Sequence, residues 1–127
     1  MEKIELVTGN KSCVRSFYEP EFIQKARKDL GMKEEIVGNY EQLFRLLGHP
    51  VRLRIAYLLY KYGELCVCDI SDIVARSMSL VSQHLNKMRA LQLVFSNRIG
   101  RTIYYSLNEE VLDMLIPVFI QMKKISI

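Results

Sequence analysis

The chain has 127 residues, the size of one domain. Half of them are hydrophobic and a quarter are charged, which excludes disorder over most of the length. No apolar run reaches the roughly 18 residues that cross a bilayer, and no signal-peptide pattern opens the sequence, so a cytoplasmic protein with no membrane partner is expected. The net charge of +4 defines no partner by itself, but its placement is uneven. Residues 73–108 hold five basic side chains, Arg76, Lys87, Arg89, Arg98 and Arg101, and no acidic one. Of 18 basic residues, 13 remain elsewhere against 14 acidic. The whole positive excess therefore lies in one window, as expected of a phosphate-binding surface.

Residues 1–38 read as an arm carrying one short helix, from Glu21 to Leu30, ended by Gly31. A second helix is predicted from Asn39 to Leu47, where Tyr40, Leu43, Phe44 and Leu47 recur at helical spacing. Pro50 suits the first position of a third helix, whose missing N–H is not needed there; Gly63 stops it. A short helix follows from Asp69 to Ala75. Ser77 can then cap a helix from Met78 to Leu91. Helix, tight turn and helix make a helix-turn-helix. Val94–Ser96 and Thr102–Ser106 are β-rich and flank a Gly-containing loop, which predicts a hairpin. Asn108 can cap a last helix from Glu109 to Lys123, with a kink or break at Pro117. The expected fold is mainly α with a β-hairpin wing, a winged helix-turn-helix over residues 39–127.

In the helix after Ser77, Val81, Leu85 and Met88 share one face. Ser79, Ser82, Gln83 and Asn86 share another, flanked by Lys87. Short uncharged groups that donate and accept can read base edges in the major groove of double-stranded DNA, Gln bidentate to adenine among them. The ordinary alternative is a solvated helix face. Three neighbours favour DNA: the short helix before it, the missing acids, and the basic hairpin after it. Arg98 and Arg101 at the hairpin tip would contact phosphates or the minor groove. His84 reads as a helix-surface or phosphate-contacting residue.

Three cysteines, Cys13, Cys66 and Cys68, are an odd count that argues against a secreted disulfide framework and for free or metal-bound thiols in a reducing cytoplasm. In an extended or first-turn segment, Cys66 and Cys68 can converge on one soft or borderline ion such as cadmium, lead, zinc, mercury or trivalent arsenic. Cys13 offers a third thiolate. The alternatives are two small core residues, a thiol redox sensor, or a metal-storage protein that binds no DNA. No nucleophile, base and orienter stand at recognisable spacing, and no Gly-rich phosphate loop occurs, so an enzyme is not expected.

Three segments, Gly48-His49-Pro50-Val51-Arg52-Leu53-Arg54-Ile55, Glu64-Leu65-Cys66-Val67-Cys68-Asp69-Ile70 and Val81-Ser82-Gln83-His84-Leu85, resemble the ArsR/SmtB family of metal-sensing repressors. The resemblance covers residues 39–116, and its Cys-x-Cys run is similar to the thiolate-sensing cadmium, lead and arsenic branch. It implies a cytoplasmic homodimer that binds a palindromic operator and leaves it when metal binds. The cadmium and lead branch carries two arm cysteines separated by three residues; here the positions four from Cys13 are Gly9 and Phe17. The implied site is therefore trithiolate, unless Glu19, Glu21 or water adds a ligand, and a thiolate pyramid suits lead, bismuth or trivalent arsenic. A second family site on the last helix uses His, and residues 107–127 have none, so that site is expected to be absent. The resemblance makes Val111, Leu112, Leu115, Val118, Phe119 and Met122 a dimer surface; ordinary core packing is the alternative.

Overall fold

Local signals set most helix ends in the computed structural model, which describes residues 14–124. The chain separates into two compact units, Met1–Tyr40 and Glu41–Ile127. In the first, Glu19 is extended and Pro20 opens α1 (Pro20–Gly31), because a fixed φ and a missing N–H suit a first turn. The next helix, α2 (Glu34–Leu47), starts five residues before the expected Asn39. Ile36 and Val37 extend the apolar spacing of Tyr40, Leu43, Phe44 and Leu47 back by a turn, and Glu34 and Glu35 sit where the helix dipole favours negative charge. The boundary expected at residue 38 falls inside this helix.

In the second unit, α3 (Pro50–Tyr62) starts at His49, whose Nδ1 accepts from the Val51 N–H at 3.1 Å. Gly63 ends it at φ +85°, a conformation that costs glycine little. There follow β1 (Glu64–Cys66), α4 (Val67–Val74), α5 (Met78–Ala90), β2 (Val94–Ile99), β3 (Thr102–Leu107) and α6 (Glu109–Lys124). Ala75 stops α4 in the left-handed region, at φ 56°.

The sheet is antiparallel in the order β1-β3-β2. The hairpin is longer than the sequence suggests: Ile99 pairs with Thr102, so its turn is only Gly100-Arg101. Gly100, at φ +65°, allows the tight turn whose twist matches the strands. The third strand, β1, was not expected. Its three residues pair Glu64, Leu65 and Cys66 with Ser106, Tyr105 and Tyr104, a long-range contact that leaves no periodicity in so short a segment.

One core joins these elements. Ile55 and Ala56 of α3, Ile70 of α4, Val81, Leu85 and Met88 of α5, Val94 of β2 and Phe119 of α6 are fully buried. Each large aliphatic or aromatic side chain so buried contributes about 1.5–3 kcal/mol. Phe119 stacks on Tyr60, with ring centroids 4.8 Å apart, and meets Tyr57 edge-on at 6.0 Å. Pro117 does not break α6. Both Pro117 and Asp113, whose carbonyl loses its helical donor, are exposed, so water can satisfy that oxygen. Among the described residues no helix is long and apolar enough to cross a membrane.

Candidate nucleic-acid interface and thiol cleft

The helix-turn-helix is α4 and α5. Ser77 Oγ accepts from the Leu80 N–H at 3.1 Å and so caps α5. Beneath it, Ser71 Oγ donates to the Arg76 carbonyl and holds the turn between the helices. With Val81, Leu85 and Met88 committed to the core, α5 presents Ser79, Gln83, Asn86 and Lys87 to solvent; Ser77 is exposed and Ser82 is half-buried.

His84 departs from its expected place on the surface: it is 7 % exposed. The reason is helical phase. Residues 81, 84, 85 and 88 form one stripe, and His84 lies on the core side of it. That phase was available in the sequence, masked by the residue's polarity. Burial, and then the interactions with His49 and the cationic Arg52 and Lys87, lower its pKa from the usual imidazole value.

Arg98 and Arg101 are exposed at the wing. The Arg98 Nε–H donates to the Gly100 carbonyl at 3.2 Å, which ties this guanidinium to the turn. Arg89 Nη1 donates to Ser96 Oγ at 3.3 Å and links α5 to β2. Among the described residues, the recorded ion pair is Glu41 with Arg45. Among the described residues, no carboxylate engages Arg76, Lys87, Arg89, Arg98 or Arg101. Their charge therefore remains available to phosphates.

Cys66 is the last residue of β1 and the N-cap of α4, and it is buried; Cys68, in the first turn, is exposed. Both face a cleft of about 270 Å³. Its other walls are Met78 and Ser82 of α5, and Arg101, Thr102 and Ile103 at the wing. The thiol pair thus shares a cavity with α5 and with the wing. Within the described residues no three His, Cys, Asp or Glu side chains converge as a metal site. The donor chemistry fits a thiophilic ion with two ligands, and Cys13 lies outside the described residues.

Of the apolar residues expected at a dimer surface, Leu115 and Phe119 are instead core, 4 % and 0 % exposed. The aromatic pair Tyr57 and Tyr60 on α3 claims Phe119. Val111 and Leu112 are half-buried against the same core. Val118 and Met122 do face out, joined by Met114 and Ile120.

Residues 49–96 match the family model described as bacterial regulatory protein, arsR family. The chain is 31 % identical over 104 residues to a cadmium resistance transcriptional regulatory protein CadC homolog of Staphylococcus aureus, covering 82 % of this chain and 84 % of that one. It is 36 % identical over 84 residues to an arsenical resistance operon repressor of Bacillus subtilis, covering 66 % of this chain and 80 % of that one. Among solved structures, the transcriptional regulator HlyU of Vibrio vulnificus superposes with a TM-score of 0.63 at 30 % identity, covering 71 % of this chain and 94 % of that one. The helix-turn-helix, the basic wing and these likenesses agree: the chain belongs to the ArsR family, whose members are DNA-binding regulators and not enzymes.

Proposed function

We propose that this protein is a homodimeric repressor that binds double-stranded operator DNA and is released when a soft or borderline ion binds Cys13, Cys66 and Cys68. Ser77, Ser79, Ser82, Gln83, Asn86 and Lys87 on α5 would meet the major groove, and Arg98 and Arg101 the backbone or minor groove. Cadmium, lead and trivalent arsenic are the leading inducers, in keeping with the names of the cadmium- and arsenical-resistance relatives. Zinc, bismuth and mercury share the thiolate preference.

The observation that carries this reading is the shared cleft. Ligation at Cys66 and Cys68 happens beside Met78 and Ser82 at the start of α5 and beside Arg101 at the wing. The first turn of α4 also packs through its own helix on α5. A small displacement of the thiolates therefore reaches both DNA-contacting elements. A coupling of about 1–3 kcal/mol, common between linked sites, is enough for derepression. Ligation needs deprotonated thiols, so inducer affinity falls as pH falls.

The test is an operator-binding titration against cadmium, lead, trivalent arsenic and zinc in turn, with sulfur-to-metal ultraviolet absorption as a second readout. The Cys66→Ser protein should bind operator as wild type does and ignore the metal. A Cys66→Ser protein that keeps a full metal response overturns the thiolate assignment. Release by an oxidant, with no response to any metal, turns the protein into a thiol redox sensor of the same fold.

A further inference from the structure

The buried histidine of α5 has no part in the scheme above, and its neighbours give it one. His84 Nδ1 lies 3.3 Å from Arg52 Nη1, and its ring centroid is 4.4 Å from that of His49. The Arg52 Nε–H donates in turn to the Leu46 carbonyl at the end of α2. A guanidinium can only donate, so Nδ1 must accept. The imidazole is then neutral with its proton on Nε2, and that nitrogen is buried without a hydrogen-bond partner.

Arg52 thus bridges the end of α2 to the middle of the reading helix. This arrangement does not tolerate a proton on Nδ1: two N–H groups would face each other, and two cations with them. The titratable and charged groups that act on His84 are His49 and Arg52 at the start of α3 and Lys87 on α5 itself, and none of them is an acid.

We propose that Arg52 and His84 form a latch that seats α5 on α3, and that protonation of His84 opens it, so that the metal-free repressor loses operator affinity in acid. The inference rests on α5 being the operator-reading element. Its direction follows from linkage. Burial and the positive neighbours lower the pKa of seated His84, whereas an unseated imidazole titrates at about 6.5. The seated form binds fewer protons, so its advantage is lost as pH falls below that value, by at most about tenfold per pH unit for one proton. A histidine that contacts phosphates behaves oppositely: charging it strengthens DNA binding.

The experiment uses the full chain, metal-free with chelator, titrated by fluorescence anisotropy onto a duplex from upstream of its own gene, at constant ionic strength from about pH 7.5 to about pH 5.5. Wild type should lose affinity over that range, by up to about tenfold for each protomer's proton. The His84→Asn protein keeps an acceptor for Arg52 but cannot titrate; it should bind like wild type at the upper pH and hold that affinity in acid. The His49→Asn protein keeps a cap for α3 and should retain the acid loss. Acid-strengthened binding in wild type, acid loss surviving in His84→Asn, or its disappearance in His49→Asn each overturns the latch. Absence of operator binding at any pH overturns the repressor reading and the latch with it, whereas tight binding with a flat profile overturns the latch alone. If His84→Asn does not fold, the imidazole proton resonances of wild type and His49→Asn decide: His84 should titrate below the ordinary imidazole value, and titration at or above it overturns the proposal.

Discussion

Helices α5 and α6 draw on the same core and leave opposite surfaces outside it. The α5 stripe of Val81, Leu85 and Met88 is fully buried, and what remains includes Ser79, Gln83, Asn86 and Lys87 beside the exposed Met78, with no carboxylate on the helix. The α6 stripe of Leu115 and Phe119 is buried as completely, but what remains includes Met114, Val118, Ile120 and Met122. Glu109 and Glu110 crowd its first turn and would repel phosphates. A leftover face of hydrogen-bonding groups suits base edges; a leftover apolar face suits another protein surface. The difference teaches that, on the proposed reading, function is carried by the residues each helix does not spend on folding.

The contrast can be broken at four places. Phe119→Ala removes the aromatic that fills the space between α6 and α3, at a cost of about 3–5 kcal/mol, read as a lowered midpoint in chemical denaturation with operator binding and assembly lost together. Val118→Glu with Met122→Glu alters only the outward side of α6. This double variant should keep its far-ultraviolet circular dichroism, sediment as a monomer, and bind operator about 100-fold more weakly once two half-sites are no longer engaged together. A double variant that stays dimeric removes this face from the interface.

Gln83→Ala acts on the outward side of α5. It should cost about 1–3 kcal/mol in discrimination at one base position and leave unfolding free energy within about 0.5 kcal/mol of wild type. Arg98→Ala should have the smallest effect, a uniform weakening with the slope of log affinity against log salt reduced by about 1. An unchanged slope takes the wing tip away from the phosphates.

Much of this architecture is legible locally. Pro50 and Gly63 bracket α3, Ser77 caps α5, and Gly100 turns the wing; each acts through its own backbone, so no distant partner is needed. The apolar spacing of residues 81, 85 and 88 is likewise a property of one helix. The thiol pair and the acid-free window are also plain in the sequence, because residue type and proximity along the chain are all they require. Less legible were His84 and the outward face of α6. Polarity argued that His84 was exposed, while phase and Arg52 placed it in the core. The apolar residues of α6 spread around the helix, and spacing alone does not say which of them α3 covers.

The sequence by itself determined the helices and the wing hairpin, their order, the basic window and the Cys-x-Cys motif, because capping, turn chemistry and helical periodicity act over a few residues. Only the tertiary structure decided that β1 pairs with β3, that Phe119 belongs to Tyr57 and Tyr60, that His84 faces Arg52, and that the thiols open into a cleft walled by α5 and the wing. These are contacts between segments some 10 to 60 residues apart, and they are chosen by the packing of one shared core rather than by any local preference.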